Sequence, residues 1–264
     1  MTLRSALLPL ALLFIAPIAA PLSAQALEYA PGTTRYRIST TTRGSQSSPM
    51  GNQNFEVGLQ QQVTLAVAKQ AKDTLRATVT LDSVTYRSTG GDADMTPLRG
   101  AKFVSLVSPS GKLYSSKAPE GVDPQLAQIS ESVARFLPSY RGTLAKGATW
   151  ADTATGKVLQ QGMEVMRTTV SSYEVTGDTV IGAERAFRVQ RRTNVNAAGS
   201  GTMQGTQIAM ESRSTSTGSF LLGIGGHYLG GTSNDDVTVK ITMLARNEDI
   251  HIKQSAQTTI DAIR

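Results

Sequence analysis

The chain contains no cysteine. This excludes disulfides, thiolate metal sites and a cysteine nucleophile. It also excludes a lipid anchor on an N-terminal cysteine. Histidine is almost as scarce, with His227 and His251 far apart in sequence. A zinc site takes three or four His, Cys or carboxylate ligands, so two distant histidines do not make a metal site. Aromatic residues make up only 5% of the 264 residues, and Trp150 is the single tryptophan. Nucleic-acid binders gather basic charge on one face and pair it with stacking aromatics. Here the net charge of +6 is spread thinly, and Arg191-Arg192 is the only basic doublet. No nucleic-acid partner is expected, and the excess charge leaves only a weak attraction to anionic membrane surfaces.

Marks of catalysis are missing too. No Gly-x-Ser-x-Gly elbow occurs, and Ser200 lies in the flexible-looking run Ala198-Gly199-Ser200-Gly201. Gly223, Gly225, Gly226, Gly230 and Gly231 form the densest glycine cluster. They do not open a helix after a strand, so a nucleotide cradle is excluded and a sharp strand turn or a close backbone approach is expected. Asp92, Asp94, Asp235 and Asp236 sit in glycine-rich stretches without the ligand ladder of a calcium loop, so turn roles are expected for them. Glu120 and Glu131 have no evident partner, Glu164 and Glu174 fall on strands, and nothing points to paired-carboxylate chemistry. The expectation is a non-enzyme with no cofactor and no metal.

Beyond the N-terminus there is no long hydrophobic run. Residues 219–230 come nearest and are too short and too glycine-rich to span a bilayer. The N-terminus itself has Arg4, an apolar run over 6–16, Pro17, Pro21 and then Ala24-Gln25-Ala26. That is the layout of a secretory signal peptide, with cleavage expected after Ala26. Removing 1–26 leaves 238 residues (264 − 26) and no transmembrane span. A periplasmic or secreted protein is expected, held together without disulfides by the core of a long domain.

Threonine, serine and glycine are abundant and suit strands and the turns between them. In residues 54–69 Phe55, Val57, Leu59, Val63, Leu65 and Val67 alternate with polar neighbours, the period of a strand with one buried face. Leu75, Ala77, Val79 and Leu81 alternate next, and the apolar phase then slips to Val84 and Tyr86, which predicts a bulge near Asp82-Ser83. Strands are also expected over 34–41, 103–107, 112–115, 202–217, 218–222, 237–243 and 250–260. Residues 44–52 and 90–100 read as loops, and Ser108-Pro109-Ser110-Gly111 as a turn. Residues 163–175 and 179–193 read as a hairpin turning at Thr176-Gly177-Asp178, and 197–201 as a further turn. Asp123, Pro124 and the apolar spacing of Leu126, Ile129, Val133 and Phe136 or Leu137 predict one helix, ended by Pro138.

The fold class is therefore mainly β: a strongly curved antiparallel sheet or incomplete barrel, with one helix (about 123–137) packed across it. Residues 27–264 form a single β-rich domain with two similar-looking halves, 30–145 and 146–264.

The order of signal peptide, long two-faced strands, Phe136-Leu137-Pro138, Lys146-Gly147-Ala148-Thr149-Trp150 and a second strand set resembles a group of exported bacterial β-rich proteins of unknown function. More remotely, the layout is similar to periplasmic lipoprotein carriers. That likeness implies a concave apolar face able to accept a lipid chain, and it implies no catalytic residues. Phe136, Trp150 and Phe220 are the candidate ligand-binding residues. Two functions stand side by side. One is an extracytoplasmic binder of an apolar or lipid-like ligand. The other is a structural or protein-interaction module of the cell envelope with a solid core and an envelope protein as partner. An outer-membrane barrel is disfavoured by the shortage of aromatics for two girdles.

Overall fold

A computed structural model of the chain describes residues 25–49, 51–117, 119, 136–141, 143–160, 163–203 and 205–263. Residues 1–24 of the expected signal peptide (1–26) lie outside the described residues, as does most of the expected helix over 123–137. Its described end, Phe136–Leu137, is not helical. Among the described residues the one helical turn is a 3-10 turn, Thr96–Leu98.

The chain forms one large antiparallel sheet of eleven strands that is not closed into a barrel. A short N-terminal strand, β1 (Gln25–Ala26), lies outside it. The first half of the chain supplies β2 (Gly32–Ser48), β3 (Gly51–Ala71), β4 (Thr74–Ser88), β5 (Lys102–Val107) and β6 (Leu113–Lys117). After β7 (Thr143–Leu144) the second half supplies β8 (Thr149–Gln160), β9 (Met163–Ile181), β10 (Glu184–Met203), β11 (Thr206–Gly223), β12 (Tyr228–Met243) and β13 (Glu248–Ile263). Each half is a meander, and β2 pairs with β13 to join them, so that β6 and β8 are the two edges. The chain leaves one edge after Lys117 and returns at the other at Thr149, and β7 on this crossing pairs with β1.

Period-two alternation gives the sheet a core face and an opposite, wet face. Tyr36 and Ile38 of β2, Val63 and Leu65 of β3, Val79 and Leu81 of β4, Phe103 of β5, Val175 of β9, Val189 of β10 and Phe220 of β11 all belong to one buried cluster. Leu27, Tyr29, Phe136, Tyr140 and Leu144, from the N-terminal segment and the crossing, complete it. Tyr29 ties these pieces together. Its amide donates to the Pro109 carbonyl at 2.8 Å and its hydroxyl to the Pro138 carbonyl at 2.7 Å. The bulge expected near Asp82 is present: the register steps from Val63 opposite Leu81 to Gln62 opposite Ser83. Asp82 is the extra residue, and its carboxylate accepts from the Thr64 hydroxyl at 2.7 Å.

Several expected turns are instead strand. Residues 44–48 and 51–52 continue β2 and β3, which pair from Gly32 opposite Val67 to Ser48 opposite Gly51. Thr176-Gly177-Asp178 lies inside β9, where the register shift at Arg188/Val189 leaves Thr176 unpaired as a bulge. The hairpin turns later, at Gly182, whose φ of 62° suits glycine. Residues 197–201 lie inside β10, and Gly199 and Gly201 are there because Val165 and Met163 press on them. A Cβ at Gly199 would come 2.9 Å from the Val165 Cα, and one at Gly201 would come 2.8 Å from the Met163 Cγ. Residues 206–223 make one strand where two were expected. The 223–231 cluster does form a sharp strand turn with a close approach: Gly226 has φ of 81° and lies against Glu28 and Ala30 of the N-terminal segment.

Candidate functional site

The core face is built in two zones along the strands. At the end nearer the N-terminal segment and the crossing it is filled with aromatics. Phe136 packs edge-on against Tyr36 at 4.8 Å and against Tyr228 at 5.4 Å, while Tyr36 and Tyr228 stack at 5.6 Å. Trp150 of β8 stacks on its cross-strand partner Tyr173 at 4.9 Å, and Tyr173 meets Phe220 edge-on at 6.4 Å. Burial, first of all, pushes the Tyr29, Tyr36, Tyr140 and Tyr228 phenols above the ordinary tyrosine value, because a phenolate there would lose its hydration.

All three candidate ligand-binding residues therefore belong to this filled zone. Phe136 and Phe220 are buried, at 7% and 4% exposure, and their rings face other rings. Trp150 is half-buried. The structure divides them between two aromatic groups, Tyr36–Phe136–Tyr228 and Trp150–Tyr173–Phe220.

Farther along the strands the same face is less covered. The register sets Thr42, Val57 and Ser88 in one row and Gly44 opposite Phe55 in the next. Here a cleft of about 640 Å³ is lined by Gln46, Gln53, Phe55, Val57, Tyr86 and Ser88. Its volume falls within the range of roughly 300–1,000 Å³ typical of small-molecule sites. Phe55 lies across Gly44, where an added Cβ would sit 2.3 Å from the ring. Phe55, Val57 and Tyr86 are half-buried, neither sealed into the core nor fully in water. At the far end of the second half, Met163, Val165, Ile208, Met210 and Ile241 form a second buried cluster, with Val239, Ile250 and Ile252 partly buried against it.

Between these zones the core face is polar. Ser171 and Thr193 share a 2.9 Å hydrogen bond, Thr40 and Thr258 one of 3.0 Å, and Ser233 donates to Asp235 at 3.0 Å. The Gln61 Nε2, Trp150 Nε1 and Ser216 Oγ atoms are buried without a hydrogen-bond partner among the described residues.

Sequence reasoning placed Phe55, Val57 and Tyr86 on the apolar side of their strands but did not single them out. The available signal was Gly44 standing across the strand pair from Phe55, which only the β2–β3 register reveals.

The other candidate chemistry resolves into local structure. His227 Nδ1 lies 3.4 Å from Glu184 Oε1 beside the glycine turn, and His251 is on the wet face of β13. Asp94 accepts the Thr96 amide at 2.9 Å, a turn role. Hydrogen bonds from Thr96, side chain before backbone, hold its carboxyl below the ordinary value. Asp235 and Asp236 lie on opposite faces of β12, not in a loop, so they form no carboxylate pair. Among the described residues no group of three or more His, Asp or Glu could hold a metal ion, and no helix is long and apolar enough to cross a membrane. No protein-family profile matches the chain, and no curated protein is significantly similar to it.

Proposed function

We propose that the chain is an extracytoplasmic, non-catalytic binding protein that holds an apolar or lipid-like ligand on the core face of a strongly curved sheet. The observation that carries this is the unfinished burial around the 640 Å³ cleft. An apolar side chain fully removed from water gains about 1.5–3 kcal/mol, and Phe55, Val57 and Tyr86 realise only part of that gain. An acyl chain laid on them would complete it. Gln46 and Gln53 in the lining supply hydrogen bonds for a polar end, which fits an amphipathic molecule better than a pure hydrocarbon.

The periplasmic or secreted location rests on the signal-peptide pattern of residues 1–26. A second function, a solid structural or interaction module of the envelope, is favoured by the packed aromatic zone around Phe136 and Phe220.

The test is extraction and mass spectrometry of the mature protein purified from its own host. Lipid-like molecules recovered in near-stoichiometric amount support the binding function. Protein that is recovered empty, and that crosslinks reproducibly to one envelope protein in intact cells, establishes the module instead.

A further inference from the structure

The wet face of the sheet carries a cleft of its own. It has a volume of about 880 Å³ and runs across β8, β9, β10, β11 and β12. Two rows of polar side chains line it, each set by strand register. In the first, Thr149 stands opposite Glu174, Glu174 opposite Gln190, Gln190 opposite Ser219 and Ser219 opposite Thr232. In the second, Ser172 stands opposite Arg192, Arg192 opposite Thr217 and Thr217 opposite Asn234. Strands are spaced about 4.8 Å apart, so the first row extends about 19 Å, and the rows lie about 7 Å apart.

None of these nine side chains is engaged in a hydrogen bond or ion pair with a described residue. The neighbouring wet-face cleft of about 590 Å³ differs in this respect. There Arg43 is bound to Glu56 at 3.2 Å and Thr215 to Asn194 at 3.3 Å. Trp150, Tyr173 and Arg191 also border the larger cleft, from positions that alternate to the core face, and among the outward-facing side chains only Arg192 and Glu174 are charged. Strand alternation thus splits the basic doublet. A polyanion would meet one cation and one carboxylate. An apolar chain would meet hydroxyls, amides and charges. Hydroxyl and amide groups that both donate and accept suit a ligand whose groups do the same.

We propose that this cleft binds an extended, uncharged, polyhydroxylated chain, that is, a neutral oligosaccharide, with Gln190, Arg192, Thr217 and Asn234 as its central hydrogen-bonding residues. The site is on the opposite face from the apolar cleft and does not depend on it.

The test is isothermal calorimetry of the mature protein with short linear oligomers of glucose, of N-acetylglucosamine and of a hexuronate, together with migration through native gels cast with the matching polysaccharides. Saturable binding of one neutral series is expected. Arg192→Ala and Asn234→Ala should each weaken it by about tenfold, the effect of one lost hydrogen bond to a desolvated group, with unchanged circular dichroism. Gln190→Ala gives a third, independent reading if either of those variants alters the spectrum. Absence of binding to either neutral series, binding of the hexuronate alone, or wild-type affinity in all three variants would overturn the proposal.

Discussion

The Tyr36 hydroxyl donates a 2.7 Å hydrogen bond to the backbone carbonyl of Tyr228, 192 positions away in sequence. The two rings stack, and Phe136 from the crossing closes over both. One bond thus ties the first strand of the sheet to the second half of the chain. Tyr36→Phe leaves the Tyr228 carbonyl without this donor in a buried setting and should cost about 1–2 kcal/mol. Phe136→Ala removes a large buried side chain and should cost about 3–5 kcal/mol. Urea unfolding followed by circular dichroism checks both values, and the ordering Phe136→Ala worse than Tyr36→Phe is the essential outcome.

Four tyrosines make the fold sensitive to alkali. Burial raises the folded-state values for Tyr29, Tyr36, Tyr140 and Tyr228 above that of an unfolded tyrosine. Below about pH 10 both states keep these phenols protonated, and their contribution to stability is fully present. As the pH rises from there toward the elevated folded-state values, only the unfolded chain releases the protons, so stability falls. Tyrosinate absorbance should therefore show four phenols ionising together with loss of the β-sheet signal. Seven independent titrations, with the fold intact, would contradict this.

Gly226 holds the β11–β12 turn against the N-terminal segment. Its φ is 81°, and an added Cβ would sit 2.1 Å from the Glu28 carbonyl oxygen and 2.8 Å from the Ala30 nitrogen. The Ala30 amide itself bonds the Gly226 carbonyl at 3.0 Å. Gly226→Ala should lower stability by roughly 2–4 kcal/mol, from positive-φ strain together with displacement of the segment. Gly32→Ala, where nothing lies within 4 Å, should stay within about 1 kcal/mol of wild type. Differential scanning calorimetry of the pair separates a local clash from a general intolerance of alanine.

The strands that cover the core were legible because their alternation is strict. Val63, Leu65 and Val67, and then Leu75, Ala77 and Val79, each need one face in and one face out. The phase slip at Asp82 located the bulge for the same reason. Legibility failed where both faces of a strand are polar. In 44–48 and 51–52 neither face is apolar, so alternation disappears even though β2 and β3 are paired there. Thr176-Gly177-Asp178 has the composition of a hairpin turn, yet the chain makes a bulge there and turns at Gly182. Gly199 and Gly201 read as turn glycines because their actual reason, the Val165 and Met163 side chains lying over them, is a cross-strand contact. The apolar cleft depends on the same kind of pairing, Gly44 beneath Phe55, and a linear pattern does not carry it.

The apolar cleft is tested most directly by titrating the mature protein with a fluorescent long-chain fatty acid whose emission rises in apolar surroundings. Wild type should give a saturable rise that an unlabelled fatty acid reverses. Val57→Asp, which places a carboxylate on the cleft floor, should weaken binding by about tenfold or more while leaving the sheet spectrum unchanged. No saturable rise in wild type, or equal binding by Val57→Asp, would contradict a ligand site on the core face.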